Sequence, residues 1–354
     1  MSSSRLALLQ EAVELADTHQ RIDLGITARQ LLMVVARYLL RGDILTVAFT
    51  WCLAQYDRDP QQFGGRDLFW EYQMVISQLA NLPEVSRAKL EELLDDLGRR
   101  LQAAGRSLGA VHVTRRLISA DLGTRALARA AQESIRQLQG QGIRDFYNSR
   151  IEEIETELFI GDEERALQLA QPMLAGKFAR EQKAAEIAYA GLLLPLLKRQ
   201  RLAEANRLVQ RCLHVYRPDH CYYWGYGGLL KWWTLTNQLG RAVRTYEECQ
   251  RAIQSFTAPI PRLGFALDAL VLFERLRQEG RLTLSLRLPD WLPVAVSGGK
   301  YRVEALHAWL LGEAGELAER FDRRNGTNYF REQIQERREL QRWAIAEPTR
   351  PQVD

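Results

Sequence analysis

The sequence has no stretch suited to crossing a membrane. No window approaches the roughly 18 consecutive apolar residues of a membrane span. Residues 1–20 lack the uninterrupted apolar core of a signal peptide, because Gln10, Glu11 and Glu14 interrupt it at helical spacing. The chain has only four cysteines, and no two of them form a CxxC pair. We therefore expect a cytoplasmic protein with reduced thiols and no membrane partner.

The short motifs of common enzyme classes are also missing. The chain contains no GxxxxGK[ST] phosphate loop, no GxSxG elbow, no HExxH metal pair and no Gly-rich dinucleotide fingerprint. The nearest approach to a zinc site is the set Cys212, His214, His220 and Cys221, but neither Cys/His pair has the spacing of a zinc finger. We therefore expect no enzyme activity, no cofactor and no metal.

The net charge is small, and runs of like charge are short. The 48 basic and 44 acidic residues leave a formal net charge of +4, and no run of five or more like charges occurs. The arginine-rich segments HVTRRL (112–117) and ERRELQR (336–342) lie among acidic residues or on ordinary helical faces. Nucleic-acid binding is therefore disfavoured. The alternative function is a regulatory protein that binds nucleic acid or a small ligand through Arg-rich or Tyr/Trp-rich faces.

Alternating runs of Val, Ile and Thr are almost absent, and Leu, Ala, Arg, Glu and Gln dominate. Straight-chain residues of this kind favour helices over strands. The composition therefore predicts an all-α fold.

A turn followed by an apolar helix recurs along the chain. Taking Gly42, Gly161, Gln200 and Gly240 as markers, the last three are separated by 39 and 40 residues, and the first gap of 119 residues equals three such periods. Further copies follow the same spacing near Asn81, Gly123 and Gly280. A helix, a tight turn and a second helix repeated near every 40 residues predict a superhelical array in which each unit packs against its neighbours.

Small or apolar residues recur five, nine and twelve positions after the markers, on one face of each second helix. The predicted inward positions are Val47, Trp51 and Ala54; Ala166, Ala170 and Met173; and Ala205, Val209 and Cys212.

This pattern resembles the tetratricopeptide repeat (TPR) over residues 25–280, although the family's period is shorter. The stretches EAVELADTHQ, FTWCLAQYDRDP and FDRRNGTNYF are also similar to those of a group of bacterial helical repeat proteins with no assigned role. The resemblance implies a right-handed α-solenoid of about seven helix-turn-helix units, with a concave groove lined by the first helix of each unit. It implies no activity.

The pattern also divides the chain. We expect an N-terminal capping helix at 1–24 and TPR-like repeats at 25–283. An irregular crossover or small hairpin and C-terminal capping helices should occupy 284–346, and a disordered tail 347–354.

The resemblance predicts a protein-protein interaction scaffold that holds a partner protein or peptide in the groove. By counting back from each marker, the groove positions are Arg29, Glu71, Gln78, Asn148, Glu155, Lys198, Thr234 and Asn237. The pattern leaves open the oligomeric state, and whether the groove is open or filled by a terminal segment of the chain itself.

The highest density of aromatic residues in the sequence lies around Gly225, Gly227 and Gly228. Rings there favour either packing between repeats or an exposed patch that anchors a partner, since Trp and Tyr are enriched at binding hot spots. The patch residues would be Tyr222, Tyr223, Trp224 and Tyr226.

Overall fold

The computed structural model of the protein describes residues 3–39, 41–63, 67–138, 146–175, 182–215, 223–253 and 258–345. The helices in these ranges are α1 (Ser3–Thr18), α2 (Ile22–Tyr38), α3 (Gly42–Arg58), α4 (Phe69–Ala80), α5 (Arg87–Ala103), α6 (Gly109–Ile118), α7 (Arg125–Gln137), α8 (Phe146–Ile160), α9 (Glu163–Leu174), α10 (Gln182–Lys198), α11 (Leu202–Val215), α12 (Tyr223–Leu235), α13 (Leu239–Ile253), α14 (Pro259–Gln278), α15 (Val303–Asn325) and α16 (Tyr329–Glu339). Three short strands, β1 (Thr283–Leu284), β2 (Val296–Ser297) and β3 (Lys300–Arg302), and two 3-10 turns, Pro60–Phe63 and Leu340–Trp343, complete them. The fold is all-α, as the composition predicts.

Consecutive helices pack against each other as pairs. The pairs are α2 with α3, α4 with α5, α6 with α7, α8 with α9, α10 with α11, and α12 with α13. The first helices of the later pairs, α8, α10 and α12, also pack in sequence against one another and then against α14. Within the described ranges, α9, α11 and α13 make no comparable contact with one another. The first helices therefore form a tight inner layer of a helical array, and the second helices spread over its outside.

A residue with positive φ closes the first helix of several pairs. These residues are Gly123 (φ 60°), Gly161 (φ 97°), Gln200 (φ 55°) and Asn237 (φ 56°). In each turn the next amide donates to the carbonyl five residues before it, as Gln238 N does to Trp233 O at 2.8 Å. This is the Schellman arrangement, which satisfies carbonyls at the end of a helix.

Two of the predicted markers do not lie in such turns. Gly42 is the first residue of α3, and Gly240 lies in the first turn of α13. The turn before α13 is instead closed by Asn237, a residue predicted to line the groove. Counting from Gly42 therefore misplaces the inward positions on α3 by two residues.

Burial on the second helices shows the consequence of this shift. The predicted positions on α9 and α11 are buried, namely Ala166, Ala170, Met173, Ala205, Val209 and Cys212. On α3 the prediction is wrong, because Val47 is 73% exposed and Ala54 is also exposed. The buried residues of α3 that take their place lie two positions earlier, and they are Leu45, Phe49 and Cys52.

After α14 the chain forms a small three-stranded antiparallel sheet. β2 and β3 pair in antiparallel fashion, with Val296 opposite Tyr301, and β1 pairs with the other edge of β3. Gly298 (φ 57°) and Gly299 (φ 73°) form the turn. A two-residue turn with both φ values positive suits glycine and matches the twist of a hairpin.

The helix α14 is buried on every side. Its buried residues run through all helical directions from Leu263 to Leu276. The helices α12, α13, α15 and α16 all pack against it. A helix that is apolar all round belongs in a core, so the array ends in a closed globular body rather than in an open helix pair.

The N-terminal end is less fully covered. α1 packs against α2 and buries Leu6 and Ala16, whereas Leu8 and Leu15 on its other side are exposed. The predicted tail, 347–354, lies outside the described residues.

Candidate functional site

The predicted groove residue Arg29 is enclosed between three helices. Its guanidinium donates to both carboxylate oxygens of Asp17 on α1, at 3.0 and 2.6 Å. The same group lies 3.8 Å from the ring centre of Trp51 on α3. Arg29 is buried, so it joins α1, α2 and α3 and does not face an open groove.

Glu71 and Gln78 on α4 lie beside α3. A Cβ atom at Gly42 would lie 3.4 Å from the Gln78 Oε1 atom. Burial raises the pKa of the Cys52 thiol to about 12, with a smaller contribution from the nearby charge of Glu71. Both side chains are half-buried at the boundary of the two helices.

Glu155 is the predicted groove residue that faces water. It is exposed on α8, whose neighbouring positions from Ile151 to Ile160 are all buried or half-buried. Surrounding protein raises the pKa of its carboxyl to about 7, the charge of Glu152 adds to the rise, and Arg116 opposes it. The side chain of Asn148 lies outside the described residues.

Arg116 on α6 lies near Glu155. It is buried, pairs with Glu152 on α8, and donates to Gln132 Oε1 on α7 at 3.0 Å. Its Nε atom has no hydrogen-bond partner. The arginine therefore ties three helices together through their inner sides.

The three remaining groove candidates lie at the ends of α10 and α12. Lys198 pairs with Glu163 at 2.6 Å and lies 5.9 Å from the ring centre of Trp343. Thr234 is buried and donates to Leu230 O at 2.8 Å. Asn237 occupies the turn described above. Neither Lys198 nor Thr234 therefore offers an open surface.

Of the predicted aromatic patch, only Tyr226 can be placed, and it is buried. Tyr222 and the side chains of Tyr223 and Trp224 lie outside the described residues. The neighbouring Trp232 and Trp233 on the same helix are also buried. The described aromatic residues of this helix are therefore used in packing.

The inner layer formed by α10, α12 and α14, in the second half of the array, is covered by residues 329–345. We call these residues the C-terminal segment; they comprise α16, the second 3-10 turn and the two residues after it. Asp268 on α14 accepts from Lys231 on α12 at 2.6 Å and from Arg337 on α16 at 3.1 Å. Gly227 makes room for this carboxylate, because a Cβ there would lie 2.0 Å from Asp268 Oδ2. The ionic contact joins the segment to two first helices.

Further contacts follow the segment to its end. Gln341 Nε2 donates to Val271 O at 2.7 Å, and Ile345 N donates to Leu235 O at 2.8 Å. Trp343 lies over Lys198 at the end of α10. A helical segment of the chain itself therefore occupies the inner layer formed by α10, α12 and α14.

The end of α15 also contacts the first half of the array. Arg324 donates to Ala80 O (2.8 Å), Leu82 O (3.1 Å) and Asp121 O (2.8 Å), which belong to two different turns. Tyr329 packs so closely on Gly123 that a Cβ there would lie 2.6 Å from the tyrosine Cβ. We call these contacts the Arg324 clasp.

The Asp121 carboxyl beside the clasp should make stability depend on pH. Burial raises its pKa to about 7, against a smaller opposing effect of Arg324. The folded protein therefore holds this proton more tightly than the unfolded chain, and the resulting stabilisation is lost as the pH rises from about 4 to about 7. Relative to the wild type, Asp121→Asn should gain roughly 2 kcal/mol of unfolding free energy over that range, after allowance for partial exposure.

Urea unfolding at about pH 5 and about pH 8 measures this difference. Parallel stability profiles of the wild type and Asp121→Asn would contradict the expectation.

A different surface lies where α2 ends and α4 begins. Tyr38 at the end of α2 is 54% exposed, and Trp70 at the start of α4 is 44% exposed. The Arg37 guanidinium lies between them, 5.8 Å from the ring centre of Tyr38 and 5.4 Å from that of Trp70. We call Arg37, Tyr38 and Trp70 the aromatic cluster. Counting from the turns does not reveal these residues, because their exposure depends on which face of α2 is buried.

The two arginine-rich segments offer little free charge. Arg115 pairs with Glu91 at 3.2 Å, and Arg116 pairs with Glu152. In the other segment, Arg337 pairs with Asp268 at 3.1 Å. These pairs neutralise the positive charge that a phosphate backbone would need.

Metal and thiol chemistry find no support in the described ranges. No three His, Cys, Asp or Glu side chains there come together as a metal ion would require. Cys52, Cys212 and Cys249 are buried, and burial raises the pKa of the Cys52 and Cys249 thiols. Among the described helices, none is both long and apolar enough to span a membrane.

A scan against models of known protein families and a search of curated proteins each found no match. The functional assignment therefore depends on the surfaces described above.

Proposed function

We propose that the protein is an interaction scaffold, a right-handed TPR-like solenoid of about seven units that binds a helical or extended segment of a partner protein on the first half of its inner layer. The aromatic cluster is the centre of this surface. The proposed partner is a protein or peptide, and no catalytic step is involved.

The observation that carries the proposal is the way the inner layer is used in the second half. There, α10, α12 and α14 hold the helical C-terminal segment through an ionic contact at Asp268 and through main-chain acceptors at Val271 and Leu235. In the first half of the array no such segment is seen on α2 and α4 within the described residues, and Tyr38 and Trp70 remain exposed there. A layer that accommodates one helix of its own chain is a suitable surface for a helix of another.

The chemistry of the cluster supports the same function. Tyr, Trp and Arg are the residues most enriched at binding hot spots, because they offer large contact area together with a polar group. Here Arg37 and Tyr38 lie on α2 and Trp70 lies on α4, and the Arg37 guanidinium lies 5.8 and 5.4 Å from the two ring centres. A partner's apolar side chain would therefore find two exposed rings and a cation in one place.

Replacing Trp70 by alanine should lower affinity for a protein partner at least about tenfold, because the central anchor is lost. The measurement is affinity capture from nuclease-treated and untreated lysate of the source organism, followed by titration of the recovered protein against purified variants. Trp291→Ala is the matched control, because Trp291 is 39% exposed but lies in the loop before β2; this variant should bind as the wild type does.

Equal binding by Trp70→Ala and the wild type would contradict the proposed surface. Recovery of nucleic acid that nuclease removes would favour the alternative, a nucleic-acid-binding regulator.

A further inference from the structure

Exposed apolar side chains are concentrated at the N-terminal end of the chain. Seven large apolar residues with substantial exposure lie within the first 47 positions of the described residues: Leu8, Leu15, Ile22, Leu24, Leu31, Tyr38 and Val47. Single exposed apolar residues are ordinary on a surface, whereas a concentration of them marks an interaction site.

Three of these residues form a regular line along α2. Leu24 is 50% exposed, and Leu31 and Tyr38 are each 54% exposed. They recur every seven residues, with Thr27 and Val34 between them. These five residues, which we call the α2 seam, occupy the a and d positions of a heptad, the pattern by which one helix packs along another.

The other side of α2 is already in use. Ile26, Met33 and Ala36 are buried, and α2 packs against both α1 and α3. At about 100° of rotation per residue, Leu31 points away from this buried side. The seam is therefore the exposed face of a helix whose opposite face packs against α1 and α3.

The charges beside the seam select its occupant. The heptad positions that flank the seam on its polar side are Asp23, Gln30 and Arg37. In an antiparallel pair of α2 helices related by a two-fold axis near Gln30, Asp23 of each copy lies opposite Arg37 of the other. The a positions of one copy then pack against the d positions of the other, so that Leu31 meets the second copy's Thr27 and Leu24 meets its Val34. The face is complementary to itself in both charge and apolar pattern, as an isologous interface requires.

We infer that the α2 seam binds the α2 seam of a second copy of this chain in antiparallel orientation, so that the protein forms a two-fold symmetric dimer. Asp23 also pairs with Arg21 of its own chain at 2.8 Å, and in the dimer its carboxylate lies between two arginines. A seam of one helix buries less than a standard interface, so the dissociation constant should be on the order of ten micromolar.

Sedimentation equilibrium of the full chain over a range of concentrations tests the dimer. Leu31→Glu should weaken association at least about tenfold, because it places a carboxylate in the apolar seam of each copy. Leu31 is exposed, so the fold should survive, and circular dichroism checks this. Leu213→Glu on the outer helix α11, where Leu213 is 48% exposed, is the matched control and should leave the dissociation constant unchanged.

A charge exchange tests the orientation. Asp23→Arg and Arg37→Asp should each weaken the dimer about tenfold, since each sets like charges against each other at both symmetric contacts. The double variant should recover to within about threefold of the wild type. A parallel pair would not bring these two positions together, so the recovery is specific to the antiparallel arrangement.

A chain that stays monomeric at every attainable concentration would overturn the inference, as would a dimer that survives Leu31→Glu or a charge exchange without recovery. The seam and the aromatic cluster share Tyr38, and Arg37 belongs to the cluster and flanks the seam, so the dimer and the bound partner exclude each other and association is measured on the purified chain without partner. The two proposals remain separable because Trp70 lies outside the seam: Trp70→Ala should lower partner affinity at least about tenfold and leave the dimer intact.

Discussion

Replacing Gly228 by alanine is expected to destabilise the protein by about 3 kcal/mol, although alanine normally favours a helix by about 1 kcal/mol over glycine. Gly228 lies on α12 where this helix meets α10. A Cβ atom there would lie 2.5 Å from the backbone oxygen of Ala190 and 2.7 Å from its Cβ. A backbone atom cannot rotate away, so the two first helices would have to separate along the inner layer.

The free energy of unfolding in urea measures this effect. Gly312→Ala is the matched control, because Gly312 lies on α15 and a Cβ there would meet nothing within 4 Å. This control should be neutral or stabilising by up to about 1 kcal/mol. If Gly228→Ala behaved in the same way, the close approach of α10 and α12 would be wrong.

Loss of the Arg324 clasp should have an effect of similar size. Arg324 is the donor to the carbonyls of Ala80, Leu82 and Asp121. Arg324→Ala would leave these acceptors without their charged partner, at a cost of about 3 kcal/mol. Arg324→Lys should recover only part of this, because one ammonium group cannot reproduce the planar fork that reaches two turns at once.

Unfolding free energy and amide hydrogen exchange at the two turns measure the loss of the clasp. Arg320→Ala is the control, because Arg320 lies on α15 one helical turn before Arg324. It pairs with Glu84, but both side chains are largely exposed. The cost of this substitution should therefore be below about 1 kcal/mol. Unchanged exchange at residues 80–84 and 119–124 in Arg324→Ala would show that the clasp does not hold these turns.

The sequence predicts the helices and many of their inward positions because both are local properties. Ala166, Ala170 and Met173 follow directly from the glycine at 161, which closes the preceding helix. The same procedure fails at α3, because nothing local distinguishes a glycine that begins a helix, such as Gly42, from one that ends a helix. An error of two residues is enough to exchange exposed Val47 for buried Leu45.

The groove positions were harder to predict, because their exposure depends on distant parts of the chain. Arg29 is buried since Asp17 and Trp51 from two other helices enclose it. Lys198 is half-covered by Trp343, which lies more than a hundred residues further along the chain. Glu155 keeps its contact with water. The sequence pattern does not separate these cases.

By itself, the sequence determined the all-α class and the helix-turn-helix spacing near 40 residues. Each of these depends on side chains a few positions apart, through helical periodicity and turn geometry. Only the tertiary structure decided which part of the inner layer is free. The C-terminal segment covers α10, α12 and α14 through contacts such as that of Ile345 with Leu235, while the aromatic cluster and the α2 seam stay exposed. Contacts between residues far apart in the chain set this division, because no local pattern encodes which helix a distant segment will cover.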